Sequence, residues 1–360
     1  MTISLPSPPE SICILRLSAL GDVSHVLPTL RTLQKTWPDC RITWVIGKTE
    51  HALVGDIPEV EFIVFDKSKG VKAYLQLAKD LKRREFDILL HMQVALRASL
   101  ASLLIKAPIR LGFDKFRARN GQALFTNHQI AAVEKQHVLD SFLEFPKALG
   151  IEEAVLEWNI PIPEQAEQKA ADLLPADKKI LAINPCTSNR ARNWRNWSVE
   201  NYASIIGHVF EKYGMITVLT GGPSKMEVDY AERIERASRH KPINLVGKTS
   251  VKELLAVLKR SDLMISPDTG PAHMANAVGT PVVGLYATSN PYRTGPYNSL
   301  DITINKYPEA LDKESGKSVE DVRWGKRVRN PEAMELISNK DVISNLNNIV
   351  FKNQTDENIS

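Results

Sequence analysis

Strand-length apolar runs alternate with helix-length amphipathic stretches twice along this chain, and that alternation restricts the fold more than any other feature. The first series reads "ICILRL", "VLPTLRTLQKTW", "ITWVIG", "EFIVFD", "AYLQLAKDLKRREF" and "DILLHMQ", with "RLGFD" as a further strand. Pro28 is tolerable because it falls in the first turn of its helical stretch. The second series reads "KILAINP", a helix over Val199–Tyr213, "MITVLTGGP", a helix over Lys225–Ser238, "INLVG", a helix over Val251–Lys259, "DLMIS", a helix from Pro271, and "PVVGLY". This rhythm makes a mostly parallel sheet with helices on both faces.

Between Glu152 and Asp177 the composition turns Pro-, Glu- and Lys-rich, which places a boundary at Pro161–Pro163. The expected division is 1–160, 161–330 and a polar tail, 331–360, with a last helix near Asp341–Val350. A chain of 360 residues is long enough for two cores. Two open α/β domains leave a crevice outside the carboxyl ends of their strands, where ligands bind.

Composition excludes several classes. With 43% hydrophobic and 24% charged residues the chain is globular, and a net charge of +4 is too small to argue for nucleic acid. Cys13, Cys40 and Cys186 are scattered and odd in number, so they build neither a disulfide framework nor a zinc site. The Pro/Ser-rich start lacks a signal peptide's basic and apolar regions, and no apolar run approaches the ~18–20 residues of a membrane span. A cytoplasmic protein is expected, with contact to a membrane surface left open.

Three strand-to-helix junctions carry candidate chemistry. In "ILRLSALGDVSHVLPTL" the turn holds Gly21 and then Asp22, where a phosphate loop would keep a second glycine. Asp22 reads as a helix cap, a ribose ligand or a catalytic base. In "SPDTGPAHMANAVGTPVVGLY", Pro271 suits the first helical position and Gly270 the N-cap. The amides of Gly270, Ala272 and His273 would then face outward at the positive helix end, a seat for phosphate to which Thr269 adds a hydroxyl. Asp268 would hold the turn or accept a sugar hydroxyl. The alternative is an ordinary turn with Asp and Thr as local caps. In "LTGGPSKMEVD", Gly221 and Gly222 permit close ligand approach and Glu227 could reach a ribose, or the pair is simply a turn. "TSNRARNWRNW" follows a strand and concentrates Arg190, Arg192 and Arg195 with Trp194 and Trp197; guanidinium groups pair well with phosphate oxygens.

Taken together, "RLSALGDVSHVLPTL", "RNWSVENYA" and "SPDTGPAHMANAVGTP" resemble the lipopolysaccharide heptosyltransferases of glycosyltransferase family 9, over roughly residues 12–300. The resemblance implies the GT-B fold, two Rossmann-like domains facing across a crevice, with the acceptor on the amino-terminal domain and ADP-heptose on the carboxy-terminal one. It makes Asp22 the general base that takes the proton from an acceptor hydroxyl, inverting the anomeric carbon. Thr187, Arg195 and the Asp268–His273 turn would meet the donor, and its adenine would fall near Lys248 and Thr249. Where the family often has Lys, this chain has Arg195. The family's ribose carboxylate has no plain counterpart, since Lys225 stands near its place. No metal and no cofactor beyond the donor are expected, because the helix end and Arg195 can meet the leaving diphosphate.

The implied acceptor is the Kdo-containing inner core of a lipid A precursor at the inner-membrane surface, and it is anionic. Between Arg97 and Arg119 stand six basic residues (Arg97, Lys106, Arg110, Lys115, Arg117 and Arg119) and one acid, Asp114. "GFDKFRARNGQALF" resembles the family's acceptor-gripping loop, with Arg119 on its arginine, and "EKQHVLD" puts His137 at a site-lining position. Gln93 and Arg97 follow strand "DILLHMQ" at the same edge as Asp22, and His25 lies one turn past Asp22. The alternative for the basic run is a solvated face. The region "RARN…EKQH" resembles the first-heptose enzyme most. The rivals are a heptosyltransferase adding a later heptose, a nucleotide-sugar 2-epimerase of the same fold, and a non-catalytic nucleotide-sugar binding module.

Overall fold

The structure is a computed structural model that describes residues 2–187 and 194–357, with side chains to residue 349. The chain divides into two compact units, Met1–Pro161 and Ile162–Ser360.

The first unit carries strands β1 (Ser11–Leu15), β2 (Arg41–Gly47), β3 (Val60–Phe65), β4 (Ile88–His91), β5 (Ile109–Gly112) and β6 (His128–Gln129). They form a six-stranded sheet in the order β3-β2-β1-β4-β5-β6, and every pairing is parallel. All five residues of β1 are buried, because β1 lies inside the sheet with helices over both faces. The chain winds outward from β1 to β3 and then returns to the other side of β1 at β4. Two neighbouring connections therefore leave in opposite directions at the carboxyl ends of β1 and β4, which is where open α/β sheets bind ligands.

The second unit repeats this plan. Its strands are β7 (Ile180–Ile183), β8 (Ile216–Leu219), β9 (Ile243–Asn244), β10 (Leu263–Pro267), β11 (Val282–Tyr286) and β12 (Ile304–Asn305). The order is β12-β11-β10-β7-β8-β9, all parallel, so the reversal falls between β7 and β10. Both units are Rossmann-like, as the strand–helix rhythm predicts.

The expected separate segment 331–360 is corrected by the packing. Helix Asn339–Glu357 and the turn before it belong to the second unit's core, where Ile337, Val342 and Leu346 are buried. The Trp197 indole donates to the Ile337 carbonyl at 2.8 Å. A polar sequence hid this because only one helix stripe is apolar. The helix expected over Ala73–Phe86 spans Val71–Leu81 instead; Phe86 lies past its end, its amide donating to the Lys106 carbonyl at 3.0 Å.

Candidate active site

At the first unit's reversal point the loop after β1 meets the loop after β4. Helix Leu20–Thr36 starts immediately, with Ala19 as N-cap, so Gly21 and Asp22 lie in its first turn and not in a turn ahead of it. Alanine has no side chain to cap with, and Asp22 compensates by folding back: its Oδ2 accepts the Ala19 N–H at 3.2 Å. The cap and the candidate base are thus one carboxylate, whose side chain remains 38% exposed.

Arg16 anchors that carboxylate. It stands one residue past β1, and its Nη2 lies 2.7 Å from Asp22 Oδ2. Its Nη1 donates to the Met92 carbonyl at 2.6 Å, and the guanidinium lies 5.1 Å from the centre of the Phe142 ring. In the sequence Arg16 is part of the strand run "ICILRL". The available signal was an arginine embedded in apolar residues, a costly placement without a partner.

Gln93 ties the two loops together. Its Oε1 accepts the Leu17 N–H at 2.6 Å and its Nε2 donates to Ser18 Oγ at 3.0 Å. This sequence-predicted acceptor contact is buried behind the loop that carries Asp22. Gly47 closes the other side. A Cβ there would lie 2.2 Å from the Leu17 carbonyl oxygen and 2.4 Å from a Glu50 carboxyl oxygen, so only glycine fits. Glu50 is buried, and burial raises its carboxyl pKa, with Asp22's charge adding to the rise and Lys67 and Arg16 opposing it.

His25 and His137 are both buried, with ring centres 5.3 Å apart and planes at 88°. His137 is also the N-cap of helix Val138–Ala148, its Nδ1 accepting the Leu139 N–H at 3.1 Å.

The basic stretch divides by partner. Arg117 is half-buried and binds the Asp114 carboxylate, Gln136 Oε1 at 2.6 Å and the Ala131 carbonyl at 2.5 Å. Arg110 holds the carbonyls of Phe125, Ile105 and Ser102, and Lys106 pairs with Glu85 at 3.2 Å. Arg97, Lys115 and Arg119 are exposed. Of the candidates in the acceptor loop, Arg117 is thus a brace that joins "RARN" to "EKQH".

In the second unit, helix Gly270–Ala277 leaves the carboxyl end of β10 beside the reversal point. Its N-cap is Thr269, not Gly270, and Pro271 takes the second helical position. Proline lacks the donor that this position would waste, and the amides of Gly270 and Ala272 occupy the turn whose donors have no partner inside a helix. The Thr269 hydroxyl shares a 2.8 Å hydrogen bond with Ser266 Oγ.

Asp268 is a charged hub. Its carboxylate accepts from Ser289 Oγ at 2.9 Å and lies 3.4 Å from Arg195 Nη1, 3.7 Å from Arg327 Nη2 and 3.9 Å from His273 Nε2. Arg195 also donates to the Asp268 carbonyl at 2.6 Å. Asp268 therefore holds the turn and fixes two guanidinium groups beside the helix start. Arg327 escaped sequence reasoning because it lies far along the chain from both motifs, and Ser289 because it falls just past the end of "SPDTGPAHMANAVGTPVVGLY". The Thr187 amide donates to Asn196 Oδ1, one residue past Arg195, at 3.1 Å. Arg190 and Arg192 lie outside the described residues.

Glu227 is engaged locally. Its carboxylate accepts the Gly222 N–H at 3.0 Å and the Ser224 hydroxyl at 2.6 Å, and Ser224 caps helix Lys225–Ala237. A Cβ on Gly222 would meet the Glu227 carboxylate at 3.0 Å. Gly221 accepts the Gly247 N–H at 3.0 Å, joining this turn to the segment with Lys248 and Thr249. The Lys248 ammonium donates to the Asn244 carbonyl at 2.8 Å.

The sequence profile of glycosyltransferase family 9 (heptosyltransferase) matches residues 74–322. The lipopolysaccharide core heptosyltransferase OpsX of Haemophilus influenzae is 39% identical over 94% of this chain and 96% of its own length. Lipopolysaccharide heptosyltransferase 1 of Escherichia coli K12 is 24% identical over 83% of this chain and 95% of its own. Among solved structures, a family 9 glycosyl transferase from Veillonella parvula superposes with a TM-score of 0.80 at 23% identity, covering 98% of this chain and all of that one (100%). Escherichia coli heptosyltransferase WaaC with ADP gives 0.64 at 21% identity, over 79% of this chain and 90% of that one. These structural likenesses are of fold. The profile match and the Haemophilus relative carry the assignment: the chain belongs to glycosyltransferase family 9, the heptosyltransferases.

Proposed function

We propose that this chain is an inverting glycosyltransferase that moves a heptose from ADP-heptose to the Kdo-containing inner core of lipopolysaccharide, in the manner of heptosyltransferase I. The carrying observation is Asp22: a partly exposed carboxylate at the first sheet's reversal point, held through one oxygen by Arg16 and the Ala19 amide. Such a group takes the proton of an acceptor hydroxyl as that oxygen attacks the anomeric carbon, a role worth ~10²–10⁴-fold. The bond from the anomeric carbon to the diphosphate oxygen breaks on the opposite face, and the ADP oxygen carries the charge away. The helix start at Gly270, with Arg195 fixed beside it, supports a seat for that diphosphate. The exposed Arg97, Lys115 and Arg119 suit an anionic acceptor. The first-heptose reading draws support from the brace between Arg117 and Gln136, which makes "RARN" and "EKQH" one local structure. Its place is the cytoplasmic face of the inner membrane.

The test is mass spectrometry of purified protein with ADP-heptose and a panel of deacylated core acceptors. Addition of one heptose to a Kdo-only acceptor is expected; addition only to an already heptosylated acceptor overturns the subtype. Asp22→Asn should retain ADP binding by calorimetry and lose at least ~10²-fold in turnover. Turnover within a few-fold of the parent overturns the base.

A further inference from the structure

Helix Leu96–Ser102, "LRASLAS", is inside out. It turns Ala98, Ala101, Ser99 and Ser102 to the interior and carries Leu96 and Leu100 in solvent, followed by Leu103 just past its end. A surface helix ordinarily buries its leucines. Helix Val71–Leu81 has two apolar stripes: Ala73, Leu77 and Leu81 enter the core, while Val71 and Leu75 on the other side are 75% and 67% exposed. The two helices are neighbours, since the Tyr74 hydroxyl donates to the Arg97 carbonyl at 3.3 Å. The first also packs against the Gln122–Phe125 turn, where Leu124 is 87% exposed. Ten of the twelve large exposed apolar side chains among the described residues lie in the first unit; Phe210 and Tyr292 are the two in the second. Scattered exposed leucines need no explanation, but grouped on adjoining elements they mark a contact surface.

The same elements carry cations. Lys67, Lys69 and Lys72 are exposed at the entry to helix Val71–Leu81, Arg97 stands between the exposed leucines, and Lys115 and Arg119 follow β5. The nearby acids are engaged in their own turns: Asp66 binds the Ser68 amide at 3.0 Å, and Asp114 binds Arg117. These segments follow the carboxyl ends of β3, β4 and β5, the sheet edge at which Asp22 follows β1.

We propose that this face of the first unit docks on an anionic bilayer. The exposed leucines and valine enter the boundary between headgroups and acyl chains, and the lysines and arginines meet lipid phosphates. An apolar face alone would suit a protein partner, and a basic face alone a soluble anion. Their combination on one edge is what a bilayer surface matches. No helix among the described residues is long and apolar enough to span, so this is attachment to one leaflet. The purpose of docking, bringing Asp22 to a lipid-borne acceptor, rests on the proposed function; the surface itself does not.

The experiment is flotation of the purified full chain with vesicles of phosphatidylethanolamine and phosphatidylglycerol, against vesicles of phosphatidylcholine. Binding to the anionic vesicles is expected, weakened at high salt. The triple variant Leu75→Ser/Leu100→Ser/Leu103→Ser should lose at least tenfold in vesicle binding. Lys67→Glu/Lys69→Glu/Lys72→Glu should lose more, at about fivefold for each cation removed. Both variants should transfer heptose to a deacylated acceptor at the parent rate, which shows that they fold. Equal flotation on both vesicle types, or undiminished flotation of the leucine variant, overturns the proposal. So does a dimer in sedimentation velocity that the leucine variant dissolves while the parent ignores vesicles, which assigns the face to a second copy. Vesicle binding without any transfer to the soluble acceptor would keep the surface and overturn the proposed function.

Discussion

Arg16 and Asp22 form an ion pair across the end of the first strand, Nη2 to Oδ2 at 2.7 Å. Arg16 is the better anchored partner: it is buried, and it grips the Met92 carbonyl from the neighbouring strand's end. The sheet's reversal point thus reaches Asp22 through the Arg16 side chain, which adds to the hold of the Ala19 amide on the same oxygen.

Arg16→Met should therefore lower kcat by about tenfold or more, an effect sized by a charged hydrogen bond of about 1.5–3 kcal/mol, and leave the acceptor KM little changed. Arg16→Lys should fall between, since a lysine keeps the charge but loses the fork that reaches Met92 and Asp22 together. Steady-state kinetics on both variants checks this. A rise in KM at constant kcat would show Arg16 binding acceptor instead.

Gln93 has the same kind of role at one remove. It spans the two loops by accepting from Leu17 and donating to Ser18, and its own carbonyl accepts from Gln122 at 3.3 Å. Gln93→Ala should cost kcat several-fold, the effect of about 1 kcal/mol per lost hydrogen bond, with acceptor KM unchanged. A selective rise in acceptor KM would restore it as a direct contact.

The strands and most helices were legible because parallel sheets leave short, uniformly apolar runs, as in "ILAI" of β7 and "VVGLY" of β11. Asp22 and the Asp268–His273 turn were legible as positions, since each follows such a run. Their partners were not. Arg16 hides inside an apolar run, Arg327 is 59 residues from Asp268 in the numbering, and Gln136 is 19 from Arg117. Spacing reports what one element presents, whereas these ties are made between elements. For the same reason Arg117 and Glu227 looked available for ligands: the sequence displays their charge but not the Asp114 carboxylate or the Gly222 amide that takes it up.

Glu227 gives the sharpest contrast between a binding and a structural role. Its carboxylate closes a turn with Gly222 and Ser224. Glu227→Ala should destabilise the second unit by about 1 kcal/mol, as the loss of a helix cap does. That corresponds to about 2–4 °C in Tm for a domain of this size. Donor KM should stay constant. A roughly tenfold rise in donor KM, equivalent to about 1.4 kcal/mol, would show that the carboxylate also holds the ribose.

The first unit should be sensitive to acid through His91. Burial pushes its pKa down to about 3, with Arg110's charge adding to the fall. Its Nδ1 lies 3.2 Å from the Gln122 amide nitrogen, and its Nε2 is buried without a partner. A donating Gln122 makes Nδ1 the acceptor and puts the proton on Nε2. The folded state thus holds a neutral ring that the unfolded chain protonates near its ordinary value of 6.5. A depressed folded pKa means stability present above that value and lost as pH falls from 6.5 toward about 3. The loss from this one group is at most about 1.4 kcal/mol per pH unit. Urea unfolding followed across that window should show the midpoint dropping, and His91→Leu should flatten the drop while Gln122 keeps its bond to the residue 91 carbonyl, 2.7 Å in the parent. An acid limb of equal slope in the variant would place the sensitivity in other groups.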